Sequence, residues 1–173
     1  PTIPSDDRKR TFTLYLVLTE QCNLRCHYCD VLGLNDYGTH GDHMDWETAK
    51  TALELVMSRL EKERDLHAQV TFFGGEPMLN WDVLARSAAY IRAHPFADRM
   101  GIMLVTNGTP MTRERARFLR DHKVYVVVSL DGAPEVNDSV RYFPGKRGSY
   151  DKVARGLDLL AAEMPGEYGI SCT

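Results

Sequence analysis

Cys22, Cys26 and Cys29 follow a run of apolar residues in a CxxxCxxC spacing. Thiolates are soft ligands, and three on one short loop can take three corners of an iron-sulfur cube, leaving the fourth iron open to a reactant. Zinc is the alternative reading; it needs a fourth ligand, which His27 or His40 could supply. Four cysteines in 173 residues, three of them in one loop, do not make a secreted disulfide scaffold. Cys172 lies in an apolar stretch, where a free cysteine behaves as a small buried hydrophobe, so it stays out of the ligand set.

Three more polar clusters each follow an apolar run. In Phe73-Gly74-Gly75-Glu76-Pro77, two glycines can admit a ligand close to the backbone, and Glu76 offers a carboxylate to an ammonium group. The plainer reading is a strand-to-helix turn with Glu76 at the helix start. Thr106-Asn107-Gly108-Thr109 and Ser129-Leu130-Asp131-Gly132 are turns when taken singly; on one rim they become convergent hydrogen-bonding groups. Arg141 is read in a long loop running to Gly148, either as a solvated surface arginine or as an anion contact. His40 and His43 are read in a flexible loop, where their spacing alone does not make a metal site. Trp46 and Trp81 stand near helix starts and read as packing residues.

What must position these groups is an alternation of apolar runs and helical patterns, the signature of βα units on a parallel sheet. Strands are predicted over Thr11 to Leu18, Gln69 to Phe73, Gly101 to Val105 and Val124 to Leu130, with a last one opening at Tyr168. Their near-continuous apolar character predicts burial on both faces. Ala49, Ala52, Leu53, Val56, Met57 and Leu60 recur at helical spacing after an Asp45 N-cap. Leu84, Ser87, Ala88 and Ile91 mark a second helix. Ala116, Phe118 and Leu119 mark a third after Thr112, and Val153, Leu157, Leu160 and Ala161 a fourth capped by Ser149.

At roughly 31 residues per βα unit, the chain holds about five starts of a barrel. It therefore reads as the N-terminal part of a longer protein, ending in the fifth strand, with residues 1–10 as a polar lead and 11–173 as an incomplete core domain. The composition, 43% hydrophobic and 26% charged, is that of a globular domain. A net charge of −3 without charge runs gives no sign of nucleic acid or an anionic membrane as partner. No apolar stretch is long enough to span a bilayer and the start is not a signal peptide, so the chain reads as cytoplasmic.

Cys22-Asn23-Leu24-Arg25-Cys26-His27-Tyr28-Cys29, with an aromatic before the last cysteine, together with the GGEP sequence after the second strand, resembles the radical SAM superfamily. The resemblance covers nearly the whole chain. It implies an α/β fold, the N-terminal part of a partial (β/α)6 barrel, and two cofactors, a 4Fe-4S cluster on Cys22, Cys26 and Cys29 and S-adenosyl-L-methionine. In such proteins the Gly74, Gly75 and Glu76 loop grips the methionine amino group. The resemblance further implies that Ser129 and Arg141 meet the methionine carboxylate or its surroundings, that the backbone near Tyr28 meets adenine, and that Asn107 and Asp131 line or brace the site.

Ser-Leu-Asp-Gly, Asn-Asp-x-x-Arg and Gly-Ser-Tyr-Asp-Lys-Val are most similar to sulfatase-maturase-like enzymes that modify peptides or proteins. Phe73, where sulfatase maturases often carry glutamine, favours a ribosomal-peptide modifier. The implied reaction is one-electron cleavage of S-adenosylmethionine to a 5′-deoxyadenosyl radical that abstracts a substrate hydrogen, fed by a reductant such as flavodoxin or ferredoxin. Substrate-contacting residues and auxiliary clusters are expected beyond Thr173. A radical SAM enzyme acting on a small molecule, a glycyl-radical activase and a non-catalytic iron-sulfur or zinc module remain as alternatives.

Overall fold

The computed structural model describes residues 10–29 and 42–173. His40 and the polar lead before Arg10 lie outside them. In chain order the elements are β1 (Arg10–Thr19), α1 (Trp46–Lys62), β2 (Leu66–Gly74), α2 (Trp81–Ala93), β3 (Met100–Thr106), α3 (Arg113–Asp121), β4 (Val124–Ser129), α4 (Pro134–Val140), β5 (Tyr142–Phe143), β6 (Arg147–Gly148), α5 (Tyr150–Glu163) and β7 (Tyr168–Ser171). A 3-10 turn at Pro77–Asn80 leads into α2.

One five-stranded sheet runs β1-β2-β3-β4-β7, parallel throughout. Parallel neighbours cannot be joined by a tight turn, so each return needs a crossover, and α1, α2, α3 and α5 supply them. The five predicted strands and four predicted helices are all present. Asp45 caps α1 through Thr48 N at 2.7 Å, and Thr112 caps α3 through Arg115 N at 3.2 Å. Trp46 and Trp81 pack against the core, edge-on to Tyr90 and Phe118.

Three expectations are corrected. Strands were predicted to be buried on both faces; one face is buried. Leu16, Leu18, Val70, Phe72, Leu104, Val126 and Val128 meet the helices in a single core, while Tyr15 is 63% and Val17 47% exposed on the opposite face, with Phe73 and Tyr125 beside them. The four crossover helices all contribute to that one core, so Tyr15, Val17, Phe73 and Tyr125 on the opposite face are left exposed, although Thr71 between Val70 and Phe72 is buried.

The second correction concerns the stretch from Val136 to Gly148. It is ordered as the short helix α4 and the two-residue antiparallel pair β5 and β6, and not as one long loop. Third, Ser149 stands at the start of α5 without capping it by its side chain. Asp138 does so instead, its Oδ1 accepting from Ser149 N at 2.9 Å and Tyr150 N at 2.8 Å. Ser149 adopts a helical backbone conformation, so its hydroxyl is turned elsewhere.

Candidate active site

Parallel strands deliver all their C-terminal loops to one end of the sheet. There the loop after β1 brings Cys22, Cys26, Tyr28 and Cys29 to a cleft shared with Phe73, Gly74 and Gly75 at the end of β2, Thr106 and Asn107 at the end of β3, Ser129 at the end of β4, and Arg141. Every residue expected at the site borders this cleft except Glu76 and Asp131, which stand behind its wall. A larger hollow at the opposite end of the strands holds Arg92 and Arg99. Their guanidinium groups are engaged by the carbonyls of Ala97, Met100, His122 and Leu66, which makes that end a structural clasp.

The cysteine loop is fixed by backbone bonds rather than by its own secondary structure. Arg25 N donates to Tyr142 O at 2.7 Å and His27 N to Val140 O at 2.8 Å. The Arg25 guanidinium folds back onto the carbonyls of Cys22 and Leu24, and Leu24 is a fully buried plug. All three thiols are free; Cys22 is buried, and Cys26 and Cys29 are half-buried. Burial pushes the Cys22 thiol up to about 11, with the Leu24 N–H working against it and Glu76 and the other two thiols adding to it. Burial also raises Cys26, opposed by Arg141. Thiols held protonated in this way ionise when a metal's charge replaces the lost solvation.

Gly74 and Gly75 are needed for a reason that the motif alone does not disclose. A Cβ on Gly74, whose φ is +139°, would lie 2.3 Å from Thr19 O, and one on Gly75 would lie 2.3 Å from Gln21 O. The strand-end backbones of β1 and β2 touch here, with Gly75 N donating to Thr19 O and Glu76 N to Gln21 O, each at 2.8 Å. Glu76 takes the plainer of its two expected places, capping the 3-10 turn that leads into α2. Its side chain is fully buried; Oε1 accepts from Met78 N at 3.0 Å and Thr106 Oγ1 at 2.7 Å, and Oε2 from Asn107 N at 2.7 Å. Burial raises its carboxyl, and these three donors oppose that. The carboxylate thus ties the ends of β2 and β3 together and does not face the cleft.

Arg141 is 7% exposed, so the surface reading fails. It closes α4, and Ser149 Oγ donates to its carbonyl at 2.7 Å while accepting from the buried Asn137 at 3.1 Å. Arg141 Nη1 donates to the Tyr28 hydroxyl, which donates to Asp131 Oδ2. The Asp131 carboxylate lies 3.8 Å from Arg141 Nη1 and accepts from Thr173 N at 3.0 Å. Arg141 Nε is buried with no hydrogen-bond partner among the described residues. Burial and the donation to Asp131 raise the Tyr28 hydroxyl, against the pull of Arg141.

Asn23 was missed by sequence reasoning, and Thr109, read within the Thr106 to Thr109 cluster, was given no partner. Both bond to Asn107 beside Cys22, and their positions, one inside the cysteine spacing and one closing Thr-Asn-Gly-Thr, were the available signal. His27 is exposed, and His43 bridges Thr19 in a single antiparallel pair. Cys172 is exposed beyond the end of β7, which corrects its reading as a buried hydrophobe.

The radical SAM superfamily profile matches residues 16–172. The chain belongs to that superfamily. Among curated radical SAM relatives, it is 30% identical over 159 residues to a cysteine-type anaerobic sulfatase-maturating enzyme of Clostridium perfringens, covering 87% of this chain and 40% of that protein. It is 34% identical over 146 residues to Fe-coproporphyrin III synthase of Methanosarcina barkeri, covering 81% and 31%. The solved structure of native anSMEcpe with bound AdoMet and Cp18Cys peptide superposes with a TM-score of 0.75 at 25% identity, over 94% of this chain and 42% of that one. The chain thus spans under half the length of these relatives. Among the described residues no helix is long and apolar enough to cross a membrane.

Proposed function

We propose that this chain is the catalytic core of a radical SAM enzyme that modifies a peptide or protein. One observation carries the reading: three free cysteines share a cleft with a buried arginine whose Nε–H is unpaired. That donor set suits both cofactors. Three thiolates leave one corner of a 4Fe-4S cluster open, and an orphaned guanidinium N–H in a buried wall suits a carboxylate. Cys22, Cys26 and Cys29 would hold the cluster. Arg141 and Ser129 would take the methionine carboxylate of S-adenosylmethionine, and the backbone at Gly74 and Gly75 would border its amino group. Tyr28, Asn107 and Asp131 would brace that wall. When bound, the pair supplies one-electron cleavage of S-adenosylmethionine to a 5′-deoxyadenosyl radical that removes a substrate hydrogen.

The chain's own part is to hold these groups in register and keep water out. Tyr28, locked between Asp131 and Arg141, holds the guanidinium in place beside the cleft before any ligand arrives. Support for a peptide substrate comes from the sulfatase-maturating relative and the peptide-bound neighbour. The Fe-coproporphyrin III synthase relative supports a small-molecule substrate as the second reading. Anaerobic turnover followed by mass spectrometry separates the two. Mass loss or gain on a peptide encoded beside the gene supports the first, and turnover of a porphyrin with every such peptide unchanged overturns it.

A further inference from the structure

Asn107 is buried at the end of β3, and the orientation of its carboxamide is fixed by its partners. Oδ1 accepts from the Thr109 backbone N–H at 3.0 Å and from the Thr109 hydroxyl at 2.7 Å. The amide nitrogen therefore points the other way, donating to Asn23 Oδ1 at 2.8 Å and reaching Cys22 Sγ at 3.9 Å. Asn23 Nδ2 donates to the Thr109 hydroxyl oxygen at 2.8 Å, which closes a ring of three side chains. Flipping the amide would set oxygen against oxygen at Asn23 and N–H against N–H at Thr109. The ring thus aims a donor, and not an acceptor, at the sulfur.

We propose that Asn107 tunes the reduction potential of the cluster held by Cys22, through an N–H directed at the Cys22 sulfur. This rests on the reading of Cys22, Cys26 and Cys29 as cluster ligands. An added electron spreads negative charge onto the sulfur ligands, and an N–H dipole aimed at one of them favours the reduced state. Cys22 is the buried member of the three, so a fixed dipole acts there with the least solvent screening. The Leu24 N–H, 3.4 Å from the same sulfur, acts in the same direction through the backbone. Asn107 is a positioning residue, since it acts through the ligand sulfur.

Asn107→Asp keeps the shape and the Thr109 bonds but turns an oxygen toward the sulfur; Asn107→Ala removes the donor without adding charge. The test is a redox titration of the reconstituted protein without S-adenosylmethionine, followed by electron paramagnetic resonance, with iron content measured alongside. At a fixed solution potential the ratio of reduced to oxidised cluster is expected to fall about tenfold in Asn107→Asp, equivalent to 59 mV for one electron. Asn107→Ala is expected to shift the same way by less. Midpoints equal to the parent's in both variants overturn the proposal, as does lost iron content with an unchanged midpoint in the fraction that loads, which marks a merely structural role. If the parent itself takes up no iron-sulfur cluster, the proposed function and this inference fall together. If the parent loads and only the midpoints fail to move, this inference alone falls.

Discussion

Two charged side chains at the site have opposite jobs. Arg141 borders the cleft and keeps a buried Nε–H without a partner among the described residues, whereas all three donors around Glu76 are already spent on its buried carboxylate. Arg141→Lys keeps the charge and loses the planar donor. A charge-assisted hydrogen bond is worth about 1.5–3 kcal/mol, so S-adenosylmethionine affinity is expected to fall at least about tenfold, read by anaerobic calorimetric titration. Equal affinity would remove Arg141 from the cofactor site. Because its carboxylate is buried and held by three donors, Glu76→Gln is expected to show in stability. An amide there must set an N–H against a donor, a loss of about 1–3 kcal/mol visible as a lower Tm.

The sign of the pH dependence follows from the raised Glu76 carboxyl. Where the unfolded chain has released this proton and the folded one still holds it, the unfolded state binds fewer protons, so stability falls as pH rises above the ordinary carboxylate range. The stability advantage of the parent over Glu76→Gln, from denaturant melts at stepped pH, is expected to narrow as pH rises through this range. The motif could not disclose this role, because Phe73-Gly74-Gly75-Glu76-Pro77 says nothing of which way the carboxylate turns.

At the scale of elements, the segment from α4 through β5 and β6 to α5 does the fastening. Val140 and Tyr142 offer their carbonyls to the cysteine loop, and Asn137 and Ser149 hold the Arg141 backbone between them. Ser149→Ala leaves the buried Asn137 amide short of an acceptor and is expected to cost about 1–3 kcal/mol, with KM for S-adenosylmethionine rising more than kcat falls. Gly156 sits inside α5, where propensity alone favours alanine by about 1 kcal/mol. A Cβ there would lie 2.5 Å from Gly108 O, so Gly156→Ala is expected to lower the Tm; an increase would mean that the helix can slide away from the Thr106 to Thr109 turn.

The long strands and helices were legible because continuous apolar runs alternate with period-3.6 patterns and the Asp45 and Thr112 caps fall where those patterns start. The fastening segment was not. A helix of seven residues and strands of two are too short for periodicity to show, and the cap on α5 comes from Asp138, 11 positions before Ser149. The pairing of Asn23 with Thr109 was equally hidden, since it joins positions 86 residues apart.

For the whole molecule, the parallel sheet gathers four strand ends into one cleft while leaving Tyr15, Val17, Phe73 and Tyr125 open on the face away from the helices. Exposed aromatic and aliphatic groups on one face drive association, so this 173-residue stretch alone is expected to sediment above monomer mass. Replacing Tyr15 and Val17 by threonine is expected to reduce that association without lowering the Tm by much; undiminished association would place the contact elsewhere. The proposed function requires the cleft to hold an iron-sulfur cluster that splits S-adenosylmethionine. Its most direct test is anaerobic reconstitution with iron and sulfide, then dithionite reduction with S-adenosylmethionine and chromatography for 5′-deoxyadenosine. About four irons per chain and release of 5′-deoxyadenosine are expected, both abolished when Cys22, Cys26 and Cys29 are replaced together by alanine. Tight zinc binding with no iron uptake and no 5′-deoxyadenosine would contradict it.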